Sequence, residues 1–299
     1  MTSSMNAGWG IDASVGLTAV AVAAARAIET SSLEPIIRDP FAQRFVQSCG
    51  LDSRFPLSLP LSSTSESEDV EDYALWRGLT DCVAMRTSLI DKHLETGIRN
   101  GTCQFVILGS GLDARSHRIE WPLNSVVLEI DQPGVIEFKK SVLAESGQTQ
   151  TIVNYLAGDL RFNELGKILD GHLDSNKPIT WILEGLLTYL SAGEQLELID
   201  QIVALSPSAG SQIVADQALT VDSMRDDETV RKLGNEFNVD PSEIVPSGVR
   251  RNVGEYLEQL GWRCQETNLV DALNAIGRRE DYSVIPLGAD TLVIDAQFR

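Results

Sequence analysis

The residues best suited to binding a ligand are a glycine turn and two acids that follow it. Gly109 and Gly111 come directly after an apolar run at residues 104–108, and glycines let a backbone turn tightly and approach a ligand closely. About twenty residues later, where a ribose-binding acid is expected, a second apolar run ends in Glu129 and Asp131. A carboxylate there can accept hydrogen bonds from both ribose hydroxyls, and the spacing permits either acid.

The glycine turn alone does not identify a cofactor. The letters GSGLDA also satisfy the dinucleotide pattern G-x-G-x-x-A, which leaves a nicotinamide-dependent oxidoreductase open, and an ordinary turn in an α/β protein is a further alternative. Two more acids, Asp159 and Glu184, follow the next apolar runs. Because ligands of open α/β sheets bind beyond the carboxyl ends of the strands, we expect these acids to surround one crevice.

Arg86 is a charged residue on an apolar helical stripe. The apolar positions around it recur at helical spacing, namely Leu75, Leu79, Val83, Ile90 and Leu94. A buried guanidinium is costly unless it is paired with an anion. Its partner is either a carboxylate of the protein or the carboxylate of a bound amino-acid moiety, which arginine can bind through two hydrogen bonds.

The elements that position these residues alternate along the chain. Short apolar runs predict strands at residues 104–108, 125–130, 151–156, 179–183 and 211–215. Helical segments lie between them at 132–146 and 191–205, and the second opens with a capping box formed by Ser191 and Glu194. This alternation predicts a parallel sheet with helices on both faces. The tail predicts a helix at 253–260 and strands at 262–267 and 291–298.

The first hundred residues precede this sheet and are predicted to be mostly helical. They are interrupted at 56–72 by Leu-Pro repeats and a Ser- and acid-rich stretch, which is typical of a mobile loop or lid and equally of a plain solvated loop. We therefore divide the chain into a helical N-terminal extension at 1–100 and an α/β core at 101–299.

The composition of the chain excludes several classes of function. The formal net charge of −19 disfavours nucleic acid and anionic membranes but not a cationic small molecule. The apolar run at 15–27 is too short to span a bilayer, so we expect a soluble, cytoplasmic protein. Its four cysteines and three histidines are scattered, which predicts neither a zinc or other metal site nor a disulfide framework.

Several longer segments resemble one known family. LGSGLDARSHRIEWP, VVLEIDQPGVIEFKK, AGDLR and WILEGLLTYLS are similar to the leucine carboxyl methyltransferase-like family, including its bacterial branch of S-adenosylmethionine-dependent O-methyltransferases. The N-terminal SVGLTAVAVAAARAIE and IIRDPFAQRFV, and MRTSLID around Arg86, resemble the same branch. The resemblance spans nearly the whole chain in the same order.

This resemblance implies a fold, a cofactor and site residues. The fold would be the class I methyltransferase (Rossmann-like) α/β fold, with a seven-stranded, mostly parallel sheet and an N-terminal helical extension as a lid. The cofactor would be S-adenosyl-L-methionine. Its implied contacts are Arg86 on the methionine carboxylate, Gly109 and Gly111 along its path, Asp131 or Glu129 on the ribose, Asp159 and Leu160 around the adenine, and Glu184 at the methionine end.

The implied reaction is O-methylation of a small-molecule carboxylate or hydroxyl by in-line displacement. A carboxylate is already ionised at neutral pH, whereas a hydroxyl would need deprotonation, and we assign no catalytic base. Tyr189 could face the acceptor, although an ordinary core role is favoured. The alternatives are a nicotinamide-dependent oxidoreductase and a catalytically silent protein that binds the cofactor or a partner protein. The sequence does not indicate an oligomeric state.

Overall fold

A computed structural model of the chain describes residues 14–50, 54–59, 67–144, 151–162, 164–206, 209–221, 231, 240–278 and 290–298. Within them the centre of the molecule is a seven-stranded sheet. Its strands are β1 (Gln104–Leu108), β2 (Val126–Asp131), β3 (Ile152–Ala157), β4 (Ile179–Leu183), β5 (Gln212–Ala218), β6 (Trp262–Asn268) and β7 (Thr291–Phe298). The predicted bounds of β1, β4 and β7 are confirmed, and those of the other strands differ by one to three residues.

The strand order is β3-β2-β1-β4-β5-β7-β6. The first five strands run parallel, and β7 pairs antiparallel with both β5 and β6. The order reverses between β1 and β4, which is where open α/β sheets bind ligands. The predicted seven-stranded, mostly parallel α/β sheet is confirmed, and its reversed strand, β7, lies between β5 and the edge strand β6.

Helices precede the sheet and connect its strands. They are α1 (Ser14–Ser31), α2 (Ala42–Ser48), α3 (Ser67–Arg99), α4 (Arg115–Arg118), α5 (Pro133–Leu143), α6 (Leu165–Ile168), α7 (Ala192–Ala204), α8 (Pro241–Ile244), α9 (Val253–Gln259) and α10 (Leu269–Ala275), with a 3₁₀ turn at Leu187–Tyr189. The predicted capping box begins α7: the Ser191 hydroxyl accepts from the backbone of Glu194, whose side chain accepts from the backbone of Ser191. In the described part of the chain, no helix is long and apolar enough to cross a membrane.

The loop predicted at 56–72 is shorter than predicted. Helix α3 begins at Ser67, so the last six residues of that segment are helical, while residues 60–66 lie outside the described residues. Helix formation is cooperative, and a helix nucleated by the apolar stripe from Tyr73 onward can extend backward into a polar stretch that has no apolar periodicity of its own.

The N-terminal helices pack against the sheet. Ile90 and Leu94 of α3 belong to one apolar cluster with Phe105 and Ile107 of β1. A second cluster joins α1 and α2 to the start of α3, to the segment after β1 and to α5. Helix α3 also packs on β4, β5 and β7, and its middle brings Arg86 to Glu184, directly after β4, and to Asp216 of β5.

Candidate cofactor site

A cavity of about 500 Å³ opens at the carboxyl ends of the five parallel strands, β1 to β5, a size in the range of small-molecule sites. Seven of the eight residues predicted to bind a cofactor line it: Arg86, Gly109, Gly111, Asp131, Asp159, Leu160 and Glu184. The eighth, Glu129, does not. The structure therefore brings together residues that are up to 98 positions apart in sequence. Their roles in binding remain predictions.

The glycine turn requires its glycines. Gly109 and Gly111 have positive φ angles of 62° and 45°, a region that other residues adopt at a cost. A Cβ on Gly109 would lie 2.8 Å from Cδ1 of Leu186. Both the backbone conformation and the close approach of Leu186 thus select glycine at position 109.

Asp131, the last residue of β2, forms a hydrogen bond with the glycine turn. Its Oδ2 accepts a hydrogen bond from the backbone N–H of Gly111 at 2.6 Å, and its Oδ1 accepts from the backbone of Gln132 at 2.7 Å. Burial raises the pKa of Asp131, and these two amides oppose the rise. Each carboxylate oxygen can accept a further hydrogen bond, and the residue lines the cavity, so the structure leaves it able to bind ribose hydroxyls.

Glu129, the other acid predicted to bind the ribose, is placed differently from Asp131. It shares a face of β2 with Asp131, but it lies two residues before the strand end and is fully buried. Its Oε2 forms a close ion pair with Nζ of Lys139 on α5. Burial raises the pKa of Glu129, and Lys139 opposes the rise. The sequence spacing permitted either acid at the cavity, but depth along the strand leaves only Asp131 there.

Glu184, directly after β4, is surrounded by three arginines. Its Oε2 accepts from Nη2 of Arg115 at 2.6 Å, and its Oε1 lies 3.2 Å from Nε of Arg86 and 3.9 Å from Nη2 of Arg26. The Thr87 hydroxyl donates to the same Oε1 at 2.7 Å. Burial alone would raise the pKa of Glu184, but Arg115, Arg86 and Arg26 outweigh it and hold the pKa well below its usual range. Glu184 is therefore a fixed anion.

Arg86 has two protein carboxylates as partners. Besides Glu184, its Nη1 donates to Oδ2 of Asp216 at 3.3 Å, and Oδ1 of Asp216 accepts from the backbone of Gly185 at 2.6 Å. The protein partner that the sequence left open is thus present. These contacts use two of the five guanidinium N–H groups, and Arg86 lines the cavity, so it can also bind a ligand carboxylate.

Sequence reasoning missed further charged residues of the site. Arg26 of α1 lines the cavity and donates to the backbone carbonyl of Leu112 at 3.3 Å. Arg115 is fully buried and also pairs with Asp91 and Asp113. Arg26 interrupts an Ala- and Val-rich helix, which is the same signal that singled out Arg86. Arg115 carries no such signal because it lies in the four-residue helix α4, which has no apolar stripe.

Asp159 and Leu160 follow β3 at the other end of the cavity. Arg161 donates to Asp159 from Nε at 2.9 Å and from Nη2 at 2.5 Å. Hydrogen bonding by Arg161 lowers the pKa of Asp159. Leu160 is buried in the main core cluster and also contacts the cavity. An apolar surface beside an acid suits a flat, hydrogen-bonding group such as a nucleobase.

Comparisons of the sequence identify a family and close relatives. A family model for leucine carboxyl methyltransferase matches residues 19–203. A Mycolicibacterium gilvum protein named "Putative S-adenosyl-L-methionine-dependent methyltransferase" is 38% identical, with 97% of this chain and 96% of the relative covered. A Mycolicibacterium smegmatis protein of the same name is also 38% identical, with 88% and 89% covered.

Two solved structures share the fold. A DUF574 family protein from Streptomyces avermitilis has a TM-score of 0.53 and 14% identity, with 92% of this chain and 97% of that chain covered. A Thermobifida fusca protein described as a "putative methyltransferase" has a TM-score of 0.50 and 17% identity, with 92% and 94% covered. At these identities the likeness concerns the fold, whereas the family match and the relatives concern the sequence itself. The chain belongs to the leucine carboxyl methyltransferase family.

Proposed function

We propose that this chain transfers the methyl group of S-adenosylmethionine to a carboxylate or hydroxyl oxygen of a small molecule. The chain is a methyltransferase by its family, and S-adenosylmethionine is its cofactor. The class of acceptor and the atom that receives the methyl group are the proposed part. The observation that carries the proposal is that one cavity joins the residues expected to bind the cofactor to an apolar wall.

The charges of the cavity fit this cofactor. The acidic side chains that line it outnumber the basic ones: Asp113, Asp131, Asp159, Glu184, Glu194, Asp216 and Glu243 against Arg26, Arg86 and Arg161. Such a lining favours a ligand with net positive charge, and S-adenosylmethionine supplies its methyl group from a positively charged sulfonium. A nicotinamide dinucleotide carries a negative pyrophosphate, which the excess of acidic side chains in the lining repels. The oxidoreductase alternative is therefore disfavoured.

The end of the cavity away from Asp159 has an apolar wall. Cys82 of α3, Ala218 at the end of β5, Ile244 of α8 and Leu269 of α10 contribute to it. An apolar wall with few polar groups is typical of a small-molecule site. It supports an organic acceptor of modest size, held so that the accepting oxygen is aligned with the methyl group, because alignment supplies much of the acceleration in such a displacement.

Two groups at this end are poorly suited to act as bases. Glu184 has a lowered pKa because its three arginines outweigh its burial. Burial raises the pKa of Tyr189, which keeps the phenol protonated at neutral pH and able to donate a hydrogen bond. Tyr189 lines the cavity, so it can face an acceptor. This arrangement favours an acceptor that needs no deprotonation by the protein, a carboxylate first and an acidic hydroxyl second, whose negative charge would face the positive sulfonium of the cofactor and not the acidic lining.

The test is a two-stage measurement. Calorimetry with S-adenosylmethionine and S-adenosylhomocysteine examines the cofactor, and release of S-adenosylhomocysteine is then followed over matched panels of apolar carboxylic acids, phenols, amines and thiols. We expect turnover with the oxygen acceptors and a methyl ester or ether by mass spectrometry. Methylation confined to nitrogen or sulfur would contradict the proposal. Tight cofactor binding without turnover on any panel would favour the catalytically silent alternative.

A further inference from the structure

Lys139 of α5 is a fully buried lysine. It lies on the helix stripe whose other members are buried apolar residues, namely Val135, Ile136, Val142 and Leu143. Burying an ammonium group is costly unless it is paired and hydrogen-bonded. An apolar side chain at this position would fill the stripe without that cost, so the contacts of Lys139 call for an explanation.

The ammonium group of Lys139 contacts the glycine turn at residues 109–111, here called the cofactor turn. Its Nζ donates to the backbone carbonyl of Ser110 at 3.3 Å, and it forms the close ion pair with Glu129. The turn also bonds to β2, because the backbone N–H of Ser110 donates to the carbonyl of Ile130 at 3.1 Å and that of Gly111 donates to Asp131. The Ser110 carbonyl itself also accepts from the backbone N–H of Asp113 at 2.9 Å. Lys139 thus adds a side-chain tether from α5 to the contacts that β2 and the turn's own segment make.

We infer that Lys139 is a positioning residue for the cofactor turn, with Glu129 as the counter-charge that offsets the cost of burying its ammonium group. The inference rests on the binding of S-adenosylmethionine in this cavity. Gly109 and Gly111 give the turn its shape but also its freedom, because glycine restricts the backbone least. A turn fixed before the ligand arrives spares the binding reaction the entropy of ordering it.

A purely structural role makes a different prediction. If the Lys139–Glu129 pair only filled the core, replacing both residues with apolar side chains of similar volume would leave ligand affinity unchanged, and such replacements of buried ion pairs are often neutral or stabilising. Removing Glu129 alone, in contrast, would leave a buried unpaired charge and lower stability while the donation to Ser110 persists. Stability and affinity can therefore be separated with two variants.

The experiment compares the parent chain, the double variant Lys139→Met/Glu129→Met, the single variant Glu129→Gln and a control, Lys140→Met. Lys140 is the exposed neighbour on the same helix, so the control removes the same charge without touching the turn. For each we measure the melting temperature, the Kd for S-adenosylhomocysteine by calorimetry, and hydrogen exchange at the Ser110 and Gly111 amides without ligand.

We expect the double variant to melt within about 4 °C of the parent yet to bind about tenfold more weakly, with faster exchange at both amides. Glu129→Gln should melt lower but keep its Kd within about threefold, since the hydrogen bond to Ser110 remains. An unchanged Kd in a folded double variant would overturn the inference. If the double variant does not fold, a Glu129→Gln chain that loses affinity in step with stability would overturn it. Absence of binding by the parent would contradict the cofactor site itself.

Discussion

Replacing Glu184 with glutamine removes a charge that three arginines share. The Glu184 carboxylate is 4% exposed and lies within 4 Å of Arg115, Arg86 and Arg26. Glutamine keeps the shape and an oxygen that can accept from Thr87, but its amide N–H₂ would face a guanidinium. Breaking a buried ion pair on one side typically costs about 3–5 kcal/mol of unfolding free energy.

The expected loss lies at the lower end of that range. Each arginine keeps another carboxylate after the change: Arg115 keeps Asp91 and Asp113, while Arg86 and Arg26 keep one acid each. The cations are therefore not left unpaired. We expect Glu184→Gln to lower the free energy of unfolding by about 3 kcal/mol at pH 7, measured by urea denaturation.

The loss should depend on pH in a defined way. The pKa of Glu184 is lower in the folded chain than the value of about 4.3 in the unfolded chain. The stabilisation by its charge is therefore complete above the unfolded pKa and is lost as pH falls through the folded pKa. The difference between parent and variant should be constant from about pH 7 to 5 and shrink below about pH 4, by up to about 1.4 kcal/mol per pH unit.

A matched control is Glu164→Gln. Glu164 pairs with Lys167 on the surface and is 54% exposed, and surface pairs contribute little. We expect that variant to change stability by less than about 1 kcal/mol. A loss at Glu184 as small as the loss at Glu164, or one that already shrinks between pH 7 and 5, would refute the assignment of Glu184 as a fixed anion.

Three further changes probe the cavity. Asp131→Ala should weaken S-adenosylhomocysteine binding by about 1–3 kcal/mol through lost hydrogen bonds, and unchanged affinity by calorimetry would contradict a ribose contact. Arg86→Met should lower cofactor affinity while circular dichroism shows a folded chain; an unfolded variant would favour a purely structural arginine. Gly109→Ala should cost about 1–2 kcal/mol of unfolding free energy, because its φ is positive and Leu186 is close. The control for Gly109→Ala is Gly166→Ala, where the added Cβ would have no atom within 4 Å. We expect this control not to lower the free energy of unfolding.

Local signals were sufficient for most of the fold. The bounds of β1 and β4 and the capping box at Ser191 depend on apolar runs and on residues three apart, which a sequence displays directly. The glycine turn and the acids directly at the strand ends could be predicted to line one cavity, because each follows an apolar run that is visible in the sequence. The start of α3 at Ser67 was missed, because helix propagation carries a polar segment that has no periodicity.

The charge network could not be predicted in the same way. Arg115 and Glu184 are 69 positions apart, and Arg86 and Asp216 are 130 apart, so no spacing rule connects them. The sequence shows part of the environment of Lys139. Its position on an apolar helical stripe can be seen there, but its pairing with Glu129 depends on how α5 packs against β2. The choice between Glu129 and Asp131 at the cavity depends on which of them lies at the end of β2.

The arginine and carboxylate network also bears on where the chain can be divided. Residue 100 separates the helical N-terminal extension from the α/β core, yet Arg26, Arg86 and Asp91 come from one side of it and Arg115 and Glu184 from the other. A fragment beginning at residue 101 would hold buried charges without their counter-ions. The two parts should therefore melt in a single transition, and an exchange of N-terminal segments between relatives would succeed only if the matching charges were exchanged with them.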